Sequence, residues 1–162
     1  MAEKHPDKTN AIRQVEDAGY RVVLHAYQAD AGAVDGLSVA AKTGRSPEQV
    51  FKTLVTIDPE KEPRVFILPV SAELDLKKAA LVAGVKKIEM LPLQEITRVT
   101  GYIRGGCSPV AMKKSYATYL AEEAILWETI LVSAGRVGLQ MEIAPADLLA
   151  VTRGQYVDIT KP

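Results

Sequence analysis

Apolar positions along the chain come in short runs whose period keeps changing. Ile12, Val15 and Ala18 recur at helical spacing between Asn10 and Ala18, and Gly19 ends that run. Tyr20-Arg21-Val22-Val23-Leu24-His25-Ala26-Tyr27 is rich in β-branched and aromatic residues and predicts a strand. Ala29 to Gly36 reads as a loop, and Leu37 to Lys42 as a short helix closed by Gly44. Ser46-Pro47-Glu48-Gln49 resembles a helical start, with Ser at the cap and Pro in the first turn.

Val50 to Ile57 predicts a strong strand, with Lys52, Leu54 and Thr56 on one face and Phe51, Thr53 and Val55 on the other. The charged turn Asp58 to Pro63 leads into a returning strand, Arg64 to Val70, so the two form a hairpin. Asp75 caps a helix over Leu76 to Ala83, with Gly84 as its stop. A short strand over Lys86 to Met90 and a short helix over Pro92 to Val99 follow. Tyr116 to Leu120 reads as a strand, and Thr129 to Gly135 pairs with Gly138 to Ile143 around Arg136-Val137. A helix over Pro145 to Val151 and a strand near Tyr156 to Ile159 close the chain. Hairpins interrupted by helices predict an α+β fold rather than a doubly wound one.

Length and composition narrow this picture. The 162 residues suit one domain, 1–162, with ordinary shares of hydrophobic (48%) and charged (25%) residues. The N-terminus, Met1 to Asn10, is polar, and no apolar run approaches the roughly 20 residues needed to span a bilayer. A single cysteine, Cys107, excludes an internal disulfide, argues against a Cys-ligated zinc site and fits a cytoplasmic location. No G-x-G-x-x-G or Walker loop follows a strand, which disfavours a nucleotide cofactor; no cofactor is expected. The formal net charge is zero, whereas a chain that wraps nucleic acid unaided carries a basic excess. A local patch or a partner would have to supply that charge.

Five features could carry chemistry. Lys52 sits inside a strand with apolar groups on both faces, where a lysine is either a site cation or an edge residue reaching solvent. Gly101 to Pro109 holds three glycines and a proline, a path that either aims N–H groups into a cavity or simply turns the chain. Cys107 would need a base to act as a nucleophile, and the histidines are only His5 and His25. With those two histidines and no ligand spacing, no metal is expected. Ser133 lies outside any G-x-S-x-G elbow and could donate a hydrogen bond to a ligand or cap a turn. The basic pairs Lys77-Lys78, Lys86-Lys87 and Lys113-Lys114 are solvated faces or, together, a diffuse phosphate-contacting surface.

The chain resembles the YbaK family along almost its whole length. The segments that carry this are Val50-Phe51-Lys52-Thr53-Leu54, Leu74-Asp75-Leu76-Lys77-Lys78-Ala79 and Lys86-Lys87-Ile88-Glu89-Met90. Thr100-Gly101-Tyr102-Ile103-Arg104-Gly105-Gly106-Cys107-Ser108-Pro109 and Val132-Ser133-Ala134-Gly135 with Gly138-Leu139 complete the set. The resemblance implies an α+β domain with a mixed, partly barrel-like sheet surrounded by helices. It implies a trans-editing deacylase that cleaves mischarged Cys-tRNA(Pro), sometimes working beside prolyl-tRNA synthetase. The family mechanism uses no side-chain nucleophile: the substrate's own thiol attacks the ester carbonyl.

Carried over residue by residue, Lys52, Gly105 and Pro109 would be catalytic. Tyr20, Thr53, Gly106, Cys107, Ser108, Ser133 and Gln140 would line the substrate site. Three positions depart from the pattern: Gln140 replaces a usual Asp, Val137 a usual basic residue and Ala111 a frequent Gly. Gln140 keeps a hydrogen-bonding group but loses a charge. The alternatives are therefore a deacylase for Ala or another small residue, or a non-catalytic synthetase-associated module that binds tRNA or a ligand.

Overall fold

The structure is a computed structural model that describes residues 8–29 and 35–162. His5 and most of the expected Ala29–Gly36 loop lie outside the described residues. The helices are α1 (Asn10–Asp17), α2 (Gly36–Thr43), α3 (Leu76–Ala83), α4 (Ile96–Thr100) and α5 (Pro145–Thr152). The strands are β1 (Val23–Ala26), β2 (Phe51–Ile57), β3 (Pro63–Pro69), β4 (Glu89–Met90), β5 (Ala117–Ala121), β6 (Ile130–Arg136), β7 (Leu139–Ile143) and β8 (Gln155–Val157).

The strands form two sheets that do not close into a barrel. One is antiparallel, in the order β1-β7-β6; the other is mixed, in the order β4-β2-β3-β5-β8. β5 runs parallel to both β3 and β8. The sheets meet at an isolated parallel bridge between Val50 and Leu131. There the Leu131 N–H donates to the Gln49 carbonyl at 3.1 Å, and the Gln49 side chain donates to the Thr129 carbonyl at 3.0 Å. The α+β class is as expected, and the sheet is split rather than barrel-like.

Local chemistry explains the clearest elements. The Asp75 carboxylate accepts from the N–H groups of Lys77 and Lys78, both at 3.0 Å, and Gly84 ends α3 at φ 71°. β3 is covered on both faces, so Val65, Phe66, Ile67 and Leu68 are all buried. Phe66 stacks on Tyr119 of β5 with ring centroids 4.9 Å apart. α1 buries Ala11, Ile12 and Val15 against this core. No helix among the described residues is long and apolar enough to cross a membrane.

Several elements depart from the pattern. The first strand keeps only Val23–Ala26 of Tyr20–Tyr27, because only those residues pair with β7. Ser46 to Gln49 makes a single turn, since Val50 is drawn into the bridge with Leu131. The helix over Pro92 to Val99 divides into a 3₁₀ turn, Leu93–Glu95, and α4. A second 3₁₀ turn, Glu122–Leu126, has no clear periodic signal in the sequence.

Replacing Asp75 by Ala removes both cap bonds and is expected to cost about 1 kcal/mol. Urea denaturation at neutral pH measures this as a lower midpoint at unchanged slope.

Candidate active site

Three chain segments converge beside the Val50–Leu131 bridge. The start of β2 brings Val50, Phe51, Lys52 and Thr53; the hairpin β6–β7 brings Ser133 and Gln140; the glycine loop brings Gly105 and Cys107. They enclose a pocket of about 130 Å³, closed on its apolar side by Gly36, Val39 and Val70. A Cβ on Gly36 would lie 2.3 Å from Val70 Cγ1, so a side chain at 36 would collide with this wall.

Lys52 is half-buried at the pocket edge. Its ammonium donates to the Ala72 carbonyl at 2.7 Å, leaving two of its three N–H donors for other partners. Burial holds its pKa below the usual lysine range, against the opposing pull of Glu73. Two buried side-chain oxygens in the same pocket, Thr53 Oγ1 and Gln140 Oε1, have no hydrogen-bond partner among the described residues. Gln140 is 5% exposed and lies directly opposite Ser133 in the hairpin register. Ser133 Oγ accepts from the Gly135 N–H at 3.2 Å, across the bulge that ends β6. Buried oxygens without partners are rare and costly, so two in one small pocket point to donors brought by a ligand.

The glycine loop is pinned from behind. Gly106 is buried against the β6–β7 turn, where a Cβ would stand 2.9 Å from both Arg136 Cα and Val137 N. Its N–H turns back to the Ile103 carbonyl at 3.0 Å and does not face a ligand. No hydrogen bond to a described residue engages the N–H of Gly105 or Cys107. Gly105 holds φ +86°, a left-handed conformation that suits glycine. Further along, Ala111 takes φ +60°, the position where a Gly is frequent in the resembled family.

Of the residues expected at the site, the fold gathers Lys52, Thr53, Gly105, Cys107, Ser133 and Gln140. The others stand apart from the pocket. Ser108 is fully buried and accepts from the Val110 N–H at 3.2 Å. Pro109 lines a different cavity with Val110 and Tyr116, and Tyr20 packs against the main core. Gly106 supports the loop from behind. The wall residues Gly36, Val39, Val50 and Val70 were not singled out in the sequence, since each reads locally as ordinary helix or strand.

Among the described residues, no basic side chain forms a hydrogen bond to Cys107. Burial pushes its thiol from the ordinary 9.0 up to about 11. His25 Nε2 lies 2.8 Å from Glu142 Oε1, which also accepts from Arg45 at 3.0 Å. Among the described residues, no group of three or more His, Cys, Asp or Glu side chains could hold a metal ion.

Comparisons with known proteins identify the family. Residues 31–151 match the model of the aminoacyl-tRNA editing domain. The chain belongs to that family. Membership makes it an aminoacyl-tRNA editing enzyme. A relative from Enterococcus faecalis, EbsC, is described as a candidate Cys-tRNA(Pro)/Cys-tRNA(Cys) deacylase. It is 46% identical over 159 residues, covering 97% of this chain and 96% of that protein. The fold matches a crystal structure described as a candidate trans-editing enzyme for prolyl-tRNA synthetase, with TM-score 0.78 and 23% identity over 95% of this chain and 99% of that one. It also matches the hypothetical protein APE2540, with TM-score 0.84 and 21% identity over 92% and 97% of the two chains.

The thiol's pKa gives a direct check. At pH 8 a shift from 9.0 to about 11 leaves roughly 100-fold less thiolate than an ordinary cysteine has. Alkylation of folded protein by iodoacetamide should be slower by that order, recover on unfolding, and rise with pH toward 11. The folded state's preference for the thiol is fully present below 9.0 and is lost as pH rises through about 11.

Proposed function

We propose that this editing enzyme removes cysteine esterified to tRNA(Pro), acting in trans on the free aminoacyl-tRNA. The observation that carries the reading is the pair of buried oxygens, Thr53 Oγ1 and Gln140 Oε1, without a partner among the described residues, in a pocket of about 130 Å³ that Lys52 also lines. An aminoacyl ester brings what this set lacks. Its α-ammonium supplies donors for Gln140 and Thr53, and its carbonyl oxygen accepts from Lys52. Gly105 and Cys107 line the same pocket, and their N–H groups, bonded to no described residue, add donors for the oxyanion.

The pocket offers no activated side-chain nucleophile, because the Cys107 thiol stays protonated at neutral pH. The substrate thiol fills that role. Its sulfur attacks the ester carbonyl, a C–S bond forms, and the C–O bond to the tRNA 3′ oxygen breaks. The thiol proton passes to that oxygen, which leaves as a hydroxyl. Water then opens the cyclic thioester to release cysteine. The protein's share is orientation and charge stabilisation, which suits a site of one lysine and fixed dipoles. Prolyl-tRNA synthetase is a candidate partner for delivering the tRNA.

A second reading, removal of Ala or another small residue, is favoured by Gln140, whose neutral amide stands where the family usually carries Asp. Single-turnover deacylation of Cys-tRNA(Pro) and Ala-tRNA(Pro), run in parallel, separates the two. Cysteine is expected to be lost faster, and Lys52→Ala to slow that loss by about 10²-fold or more. Loss of Ala alone would move the assignment to the second reading. Loss of neither, with prolyl-tRNA synthetase present, would leave a binding module.

A further inference from the structure

The face of β2 that carries Thr53 continues past the pocket to Val55 and Ile57. Val55, Leu91 and Val99 form a small separate core there, with Cys107 packed against it as well as lining the pocket. Beyond this core lies a second cavity of about 600 Å³, bordered by Ile57 and Tyr116. Four strand steps put Ile57 roughly 13 Å from Thr53.

Charge in this cavity is uneven. Lys61, Arg98, Lys113 and Lys114 share the cavity lining with two carboxylates, Glu62 and Glu95; Arg98 is paired with Glu95, and Glu89 attracts Lys61 from outside the lining. Elsewhere many cations are engaged by carboxylates, as in Lys78–Asp158, Arg64–Asp58, Lys87–Glu89 and Lys161–Glu73. Lys61, Lys113 and Lys114 are exposed, and none forms an ion pair with a described residue. Lys113 is also held in place. The Lys113 N–H donates to the Thr100 carbonyl at 3.1 Å, and the Lys113 stem lies against Gly101, whose Cβ would meet Cγ at 3.3 Å. A cation already held in place loses less freedom on binding. A neutral chain that handles a polyanion needs some of its positive charge gathered and unpaired, and this cavity holds such a set next to the pocket.

We propose that Lys113 and Lys114, with Lys61 across the cavity, contact the phosphate backbone of the tRNA while its single-stranded 3′ end runs along this face of β2 to the pocket. The proposal rests on the editing reading for the identity of its partner. Lysine point charges here position the RNA without reading its bases, so the surface accepts tRNAs of different sequence.

The test is filter binding of uncharged tRNA across 50–200 mM salt, for wild type and three variants. Each phosphate contact on a single strand contributes about 0.7 to the slope of log affinity against log salt, and on a duplex about 0.9. Lys113→Gln with Lys114→Gln is therefore expected to flatten the slope by roughly 1.4 to 1.8 and weaken binding several-fold. Lys114→Gln alone, which leaves the Gly101 contact intact, should flatten it by roughly 0.7 to 0.9. The control pair Arg13→Gln with Arg21→Gln removes the same charge from exposed sites outside the cavity and outside the basic pairs, and should leave the slope unchanged. Equal effects from the two pairs, no effect from Lys113 and Lys114, or no wild-type binding at 50 mM salt would each overturn the proposal. Uncharged tRNA carries no ester, so these outcomes are independent of whether the protein deacylates. Lysine-dependent binding without deacylation would sink the editing reading and leave this surface standing.

Discussion

The bridge between Val50 and Leu131 is the contact on which the site depends. It is one backbone pairing between two separate sheets, flanked by the Gln49 bonds to Leu131 and Thr129. Two residues beyond it on one strand stands Lys52, and two beyond it on the other stands Ser133, opposite Gln140. Without this junction, the lysine of the mixed sheet and the amide of the antiparallel sheet would belong to different surfaces. Val39, Ala40, Val50 and Leu131 pack into a small cluster around the junction and form the floor of the apolar wall. That cluster adds to the main core, in which Phe51 and Phe66 of the mixed sheet are buried together with Val132 and Met141 of the antiparallel one.

The pocket carries a cost that the rest of the fold offsets. Two oxygens sit buried without donors, and Lys52 is held partly out of water with its pKa depressed. A lysine whose folded pKa lies below its unfolded value weakens the fold while charged, and that penalty is relieved as pH rises through the folded pKa. Sites that bind or react commonly hold such locally unfavourable groups, because a ligand completes them. The glycine loop shows the same division of labour. Gly106 gives up its N–H to a turn and its side-chain space to the Arg136–Val137 backbone, and in exchange fixes Gly105 and Cys107 beside the pocket.

Much of the fold was legible in the chain. Asp75 and Gly84 bracket α3 as their cap chemistry predicts, and the β2–β3 hairpin follows from two apolar runs around a charged turn. Lys52 stood out because a lysine amid apolar strand residues is unusual. What escaped was set by distance in sequence. Gln140 and Thr53 line one pocket only because the sheets are bridged, and Gly36 matters only because Val70 packs against its backbone. The loop was visible as irregular from its glycines, but which of its N–H groups would be spent internally was not. Ser108 and Pro109, neighbours of Cys107 in sequence, turn away into the core and toward a different cavity.

The central claim is that Lys52, Thr53 and Gln140 together receive the aminoacyl end of the substrate. A crystal structure with an amide-linked 3′-cysteinyl-adenosine analogue, which cannot be cleaved, tests it most directly. The account predicts the analogue's ammonium within hydrogen-bond reach of Gln140 Oε1 and Thr53 Oγ1, with its carbonyl oxygen on the Lys52 ammonium. An analogue bound elsewhere, with both oxygens still unpartnered, would contradict it.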